Sequence, residues 1–392
     1  MGEKVRLGII GLGVQGTVYA RMIAAGEAGD LVVTAVADID EGARDRAREV
    51  CPEATFYTDY HALLASGEVD AVVTTTPHYL HPEIGIAAIR AGVHVLVDKP
   101  AGVYTAQVRE LNDAAAARPD VVFAIMFNQR NNPLYQRIKQ IVDDGEIGAI
   151  RRSNWLITTW WRPDAYYTAS EWRATWGGEG GGVLVNQAPH QLDLWQWICG
   201  MPRSVMAKAG FGFRKKIAVE DEVTILADYG DGVTGVFVTA THDPAGTDRL
   251  EILGDRGKIV VTDSRIATLT RFTADERELS ASLSVEEGFA LASGAQTSEF
   301  YTTEEITTES AWGAQHAGVL ANFAAAILHG TELLAPGADG INGVRLANAA
   351  HLSAWLGEEV STDIDEAAYL RELNARIRAE GTFPERPEPV GG

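Results

Sequence analysis

The stretch Val5-Arg6-Leu7-Gly8-Ile9-Ile10-Gly11-Leu12-Gly13-Val14-Gln15-Gly16 decides the fold. Residues 5–10 read as a buried strand, and Gly11-x-Gly13-x-x-Gly16 follows directly, ahead of a helical pattern over residues 14–28. In that setting the first glycine permits a tight turn and the second lets the backbone approach a pyrophosphate. The third lets helix and strand pack closely, while the helix N-terminus offers N–H donors and positive dipole. Gly11, Gly13, Val14, Gln15 and Gly16 are therefore expected around a dinucleotide phosphate. Strand-like apolar runs recur at 32–37, 71–75 and 94–97, with helical patterns at 40–50 and 82–91. Near-continuous β-branched runs alternating with helices predict a doubly wound parallel sheet, the Rossmann architecture, with right-handed crossovers.

From about residue 150 the texture changes. Runs at 151–157, 205–213, 223–229, 233–241, 249–253 and 258–263 resemble longer strands, and Asp231-Gly232 between two of them is a hairpin signal. A second, α+β domain on a mainly antiparallel sheet follows. Helical patterns return at 314–329, 342–356 and 367–379, and the Pro-, Glu- and Gly-rich tail 383–392 reads as an arm. We divide the chain into a dinucleotide-binding domain at 1–128, a substrate-binding domain at 129–366, and a C-terminal helix and tail at 367–392.

The 392 residues exceed what one core usually serves, and the net charge of −21 disfavours nucleic acid and anionic membranes as partners. Cys51 and Cys199 stand far apart, which fits a reducing compartment and makes no metal box or disulfide framework. The apolar stretch after Lys4 and Arg6 is broken by Gly8, Gly11 and Gly13, so no signal peptide is read there. No run reaches the roughly 18 apolar residues of a membrane span. A cytoplasmic location and no metal are expected.

Asp38 closes the second strand, where a carboxylate accepts both adenosine ribose hydroxyls and repels a 2′-phosphate, favouring NAD over NADP. The competing role is a helix cap. Ligands of such sheets bind beyond the carboxyl ends of strands. Two segments lie there: Thr74-Thr75-Thr76-Pro77-His78-Tyr79-Leu80-His81 and Asp98-Lys99-Pro100. Lys99 would hydrogen-bond a substrate hydroxyl and stabilise alkoxide character.

Taken in order, Gly11-x-Gly13-x-x-Gly16, Thr76-Pro77-x-x-x-His81 and Asp98-Lys99-Pro100 resemble the signature of the glucose–fructose oxidoreductase, inositol dehydrogenase and rhizopine-catabolism superfamily. Asp98 stands where that family usually carries Glu. The resemblance implies an open antiparallel sheet in the second domain, packing into dimers or tetramers. It also implies cofactor contacts from Thr75, Thr76, Pro77, His81 and Lys99.

Beyond the glycine-rich run 177–182, Asn186 and His190 are four apart, so they share a face of one helix, with Asp193 three further on. Asn186 and Asp193 are expected on the substrate, and Asp193 could instead orient the imidazole ring or support the fold. His190 resembles the family's catalytic histidine and would take the hydroxyl proton. Many members carry Asp where this chain has Asn186, and an amide is no general base, so proton transfer falls to His190 and Lys99. Trp155, Trp160, Trp161, Tyr166, Tyr167, Trp172 and Trp176 crowd the same domain, and at least half of them are expected in core or interface. Trp172 is expected at the sugar. Arg173 is expected there too, and Trp161 and Arg162 at the cofactor. Both arginines could bind an anionic substituent such as carboxylate, sulfonate or phosphate, or equally contact the cofactor or pair with Asp164 and Glu171. Asn128 and Arg130, where the domains meet, and His316 on a late helix complete the expected substrate contacts.

The expected activity is NAD-dependent oxidation of a sugar or glycoside ring hydroxyl, at C3, by hydride transfer. A second reading is an NAD-dependent glycosidase that oxidises C3 transiently, eliminates the aglycone, adds water and re-reduces. It extends to an acidic sugar. A cofactor-binding repressor or sensor is the third, and no helix-turn-helix addition supports it.

Overall fold

The computed structural model describes residues 4–294, 300–309 and 313–380. The predicted arm at 383–392 lies outside the described residues. Six strands build the first sheet: β1 (Val5–Ile10), β2 (Leu31–Ala37), β3 (Thr55–Tyr57), β4 (Ala71–Thr74), β5 (His94–Val97) and β6 (Phe123–Ile125). Their spatial order is β3-β2-β1-β4-β5-β6 and every pairing is parallel. The order reverses between β1 and β4, whose last residues Ile10 and Thr74 are partners, and a crevice opens beyond them. Leu7 and Ile9 feed one apolar cluster and Ile10 and Ala35 another, so helices cover both faces. The first helix, Val14–Ala24, stops short of the predicted residue 28 because Gly26, at φ 76°, turns the chain left-handed.

Among the described residues the second sheet has nine strands: β7 (Ile150–Ile157), β8 (Ser204–Phe211), β9 (Glu220–Gly230), β10 (Val233–Ala240), β11 (Asp248–Gly254), β12 (Gly257–Thr262), β13 (Ile266–Phe272), β14 (Tyr301–Thr307) and β15 (Val360–Ser361). They run in the order β14-β13-β12-β11-β7-β10-β9-β8-β15. Among the described residues only β7 and β10 pair parallel in this sheet, and its other pairings are antiparallel. Asp231 and Gly232, with φ of 53° and 78°, make the predicted tight turn between β9 and β10. One sheet face packs Trp155 and Phe237 against Trp195 and Leu192 of helix Pro189–Cys199.

Two late helices return to the first sheet. Helix Ala314–His329 places Val319, Leu320, Phe323 and Ala324 in one cluster with Leu7, Ile9 and Leu12. Helix Gly340–Leu356 carries Asn348, whose side chain accepts from Thr105 N at 3.2 Å and donates to the Val103 carbonyl at 2.9 Å. Among the described residues no helix is long and apolar enough to cross a membrane, and no cluster of acidic, His and Cys residues is built to hold a metal.

Candidate functional site

A cleft of about 960 Å³ runs from the glycine loop, past the ends of β2, β4 and β5, to the segment preceding helix Pro189–Cys199. At its first end Gly11 has φ 92°, and a Cβ there would lie 3.0 Å from the Thr75 backbone. A Cβ on Gly16 would lie 2.3 Å from the Gly11 carbonyl, so this glycine permits packing and does not line the cleft. A Cβ on Gly13 meets nothing within 4 Å. There the backbone is open, and helix Val14–Ala24 begins with no side-chain cap and no acidic residue in its first turn. Its N–H donors and dipole are left for an anion. Asp38 stands beside them, its carboxylate accepting from Leu12 N at 2.7 Å and Asp40 N at 2.9 Å. Val14, Gln15, Thr75, Thr76 and Pro77 continue the wall. This donor set fits a dinucleotide: backbone N–H groups for phosphates, then a carboxylate one strand away. Ile39, Asp59 and Tyr60 line the same end and were not singled out from sequence; the 92% exposed Ile39 directly after Asp38 was the available signal.

His81 is buried with Nε2 2.8 Å from the Thr76 carbonyl and Nδ1 2.7 Å from the Pro100 carbonyl. It ties the Thr76 loop to the Lys99 loop. Burial holds its pKa below the usual histidine value. Asp98 is buried, accepting from the Lys99 N–H at 2.7 Å and from the Tyr19 hydroxyl at 3.1 Å. Lys99 Nζ crosses the cleft to donate to the Asn186 carbonyl at 2.7 Å. Burial lowers its pKa, while Asp98 and Glu179 push it back up.

The segment facing Lys99 corrects one expectation. Val183–Gln187 is a single π-helical turn, closed by Ala188 N donating to the Val183 carbonyl at 2.8 Å. Helix Pro189–Cys199 starts afresh beyond it because Pro189 has no N–H with which to continue the ladder. Asn186 and His190 therefore do not share one α-helical face. The turn is anchored by Glu220, whose Oε1 accepts from Gly182 N at 2.9 Å and Leu184 N at 3.1 Å.

His190 Nδ1 is buried without a hydrogen-bond partner among the described residues. Burial puts its pKa well below the usual value, and the nearby Lys99 and His316 lower it further, so the imidazole is neutral at pH 7. His316 lines the cleft with its ring nitrogens 3.1–3.2 Å from the Asn128 amide nitrogen.

Arg130 and Asp193, expected on the substrate, hold each other instead. Two hydrogen bonds of 2.8 and 2.7 Å join them, Asp339 takes the remaining Arg130 nitrogen at 2.6 Å, and side-chain exposures are only 2% and 1%. We carry neither into the site. Trp161, 44% exposed, and Arg162, which donates to the Trp161 carbonyl at 3.0 Å, are not among the described residues lining the cleft, and neither are His190 and Asn128. Of the aromatic cluster, Trp155 and Trp176 are buried in cores, whereas Tyr166 and Trp172 line the cleft together with Arg173.

Glu179, not singled out from sequence, is buried behind this wall. Its carboxyl accepts from Ala174 N at 2.7 Å and from the Asn186 side-chain amide, and burial pushes its pKa up to about 7. Only its place in a glycine-rich run hinted at a special position.

Residues 5–126 match the profile of an oxidoreductase family with an NAD-binding Rossmann fold, and residues 135–260 match the GFO/IDH/MocA C-terminal domain. The myo-inositol 2-dehydrogenase of Thermotoga maritima is 26% identical over 273 residues, 68% of this chain and 77% of that protein. A levoglucosan dehydrogenase solved with NADH and levoglucosan superposes with a TM-score of 0.75 at 21% identity, covering 92% of this chain and 100% of the other. The WlbA dehydrogenase from Bordetella pertussis, solved with NADH and UDP-GlcNAcA, gives 0.72 at 22% identity over 92% and 99%. The chain belongs to the GFO/IDH/MocA oxidoreductase family and carries its NAD-binding domain.

Proposed function

We propose that this GFO/IDH/MocA oxidoreductase oxidises a ring hydroxyl of a sugar or glycoside, at C3, with Lys99 and His190 moving the proton. The carrying observation is the Lys99 ammonium, drawn out of water at the floor of the cleft and aimed across it at the Asn186 carbonyl 2.7 Å away. NAD, when bound, supplies the hydride acceptor, and Gly11, Gly13, Val14, Gln15, Asp38, Thr75, Thr76 and Pro77 would hold it. Lys99 donates to the reacting hydroxyl oxygen and stabilises its developing negative charge. The neutral His190 accepts the hydroxyl proton. Asn186 donates and accepts at a neighbouring hydroxyl, and Trp172 offers a flat apolar face to the ring. The named activities of the relatives, on inositol and levoglucosan, support a polyhydroxylated ring as substrate.

We extend the proposal to a homo-oligomer in a reducing cytoplasm, with the chain divided near residue 128. The outward face of the second sheet supports association. Leu226 pairs with Val236, and Leu156 with Val238, leaving Leu226 54% and Leu156 39% exposed on one surface.

The test is absorbance at 340 nm with NAD and a panel of free sugars, sugar acids and aryl glycosides, with aglycone release assayed in parallel. NADH formed in proportion to substrate, and reduced about 10²- to 10⁴-fold in Lys99→Met, is the expected result. Aglycone release needing only catalytic NAD, with no NADH accumulating, overturns it in favour of the redox glycosidase.

A further inference from the structure

We propose that the substrate wall of the cleft contains a site for an oxyanion carried on the sugar, of carboxylate geometry, with Arg173 as its cation. This deepens the reading above and rests on it.

Arg173 lines the cleft. Its guanidinium carbon lies 4.5 Å from the Tyr166 ring centroid and 5.0 Å from that of Trp172, so two aromatic faces fix its plane. Nη1 is spent on the Tyr166 hydroxyl at 2.5 Å. Among the described residues no hydrogen bond is made by Nε or Nη2, and no carboxylate lies within ion-pair distance of the group. One whole edge of the fork is left, the pair of parallel donors that a carboxylate accepts side by side. In a chain with 54 acidic against 33 basic residues, an arginine with no ion-pair partner in a cleft is a departure from charge balance.

Glu179, a carboxyl on which the Arg173 charge acts, makes no ion pair with it. Glu179 already accepts from Ala174 N at 2.7 Å and from the Asn186 amide, and its burial favours the neutral form. The same cleft wall holds a second donor. Ser170 lines the cleft, and its Oγ is buried with no hydrogen-bond partner among the described residues. An arginine edge and an unpaired hydroxyl, bordered by the Trp172 face, match a sugar ring bearing an anionic substituent better than a wholly neutral ring.

The test uses the full chain and equilibrium binding followed by tryptophan fluorescence, with NADH present and glucose, glucuronate and glucose 6-phosphate as probes. Arg173→Gln removes the charge, and Arg173→Lys keeps it without the fork. Glucuronate binding at least tenfold tighter than glucose is expected. That preference should vanish in Arg173→Gln and be partly retained in Arg173→Lys, with NADH affinity within twofold of the parent throughout. Glucose 6-phosphate outcompeting glucuronate in an Arg173-dependent way would keep the oxyanion site and shift its geometry to phosphate. Equal affinity for glucose and glucuronate, or a preference that survives in Arg173→Gln, overturns the site. A tenfold loss of NADH affinity in Arg173→Gln overturns it as well, by assigning the cation to the cofactor. Arg173-dependent binding of glucuronate without NADH formation from NAD leaves the oxyanion site standing and removes the dehydrogenase reading.

Discussion

Replacing Glu220 probes the anchor of the turn that presents Asn186 to Lys99. The carboxylate is fully buried, its Oε1 accepting two backbone N–H groups at 2.9 and 3.1 Å, with His351 Nε2 3.0 Å away. Glu220→Ala leaves the Gly182 and Leu184 N–H groups buried and unpaired, at about 1–3 kcal/mol each, or about 2–6 kcal/mol together. Glu220→Gln keeps an acceptor oxygen in place but turns two charge-assisted bonds into neutral ones. At about 1 kcal/mol lost per bond, it should cost about 2 kcal/mol. Urea unfolding followed by tryptophan fluorescence measures both, since Trp176 and Trp355 flank His351 at 5.2 and 5.5 Å. The same turn fixes the carbonyl that receives Lys99, so turnover should fall further than NAD affinity, and more in Ala than in Gln. An Ala variant as stable as the Gln variant, or both within about 0.5 kcal/mol of the parent, refutes the anchoring role.

Gly16→Ala places a methyl 2.3 Å from the Gly11 carbonyl, so the glycine loop must shift; NAD affinity should drop at least tenfold by fluorescence titration, and unchanged affinity would show that the loop does not bind phosphate. Asp193→Ala leaves the buried Arg130 guanidinium with Asp339 alone and should destabilise the fold by about 2–4 kcal/mol in urea, short of the full loss of a buried pair; normal stability with a raised substrate KM would return Asp193 to the substrate site. Glu179 titrates at about 7 in the folded chain against an ordinary 4.5. The folded state therefore keeps a proton the unfolded chain gives up, and its stabilising effect, full below pH 4.5, is lost as pH rises to about 7, by about 3 kcal/mol in all. Glu179→Gln should lack that decline, so its stability relative to the parent should grow between pH 5 and 8; a constant difference refutes the shift.

Strands buried on both faces were legible because nearly every residue must be apolar, which is why β1 and β5 match their predicted bounds residue for residue, with Arg6 and His94 as the polar exceptions near their starts. The three-residue strands β3 and β6 carry too little pattern to register. Helices Thr105–Ala116 and Pro133–Asp143 went unread although Asn132 before Pro133 is a start signal. At the site, the glycine loop, Asp38 and Lys99 announce themselves because their chemistry is local to strand ends. The π-turn did not: spacing alone assumes a 3.6-residue period, and Pro189 was the warning. Arg130 and Asp193 are 63 residues apart, and nothing local tells a buried pair from two ligands. Tyr166 and Ser170 reach the cleft, and Glu179 backs its wall, only because their segment folds over the strand ends, a tertiary fact without a sequence period.

Helix Ala314–His329 closes the apolar face of β1 with Leu320 and Phe323, and its first turn brings His316 to the cleft. The sheet that begins the chain is thus completed by residues synthesised after almost the whole second sheet. Until then Leu7, Ile9 and Leu12 share their cluster only with early residues such as Tyr19, Ala20 and Ile23, and the early half is completed when the late half emerges. That high contact order couples the two halves in folding. An isolated fragment ending at β6 would expose that face, and any protein engineer cutting the chain there must graft the late helix back or supply a polar surface in its place.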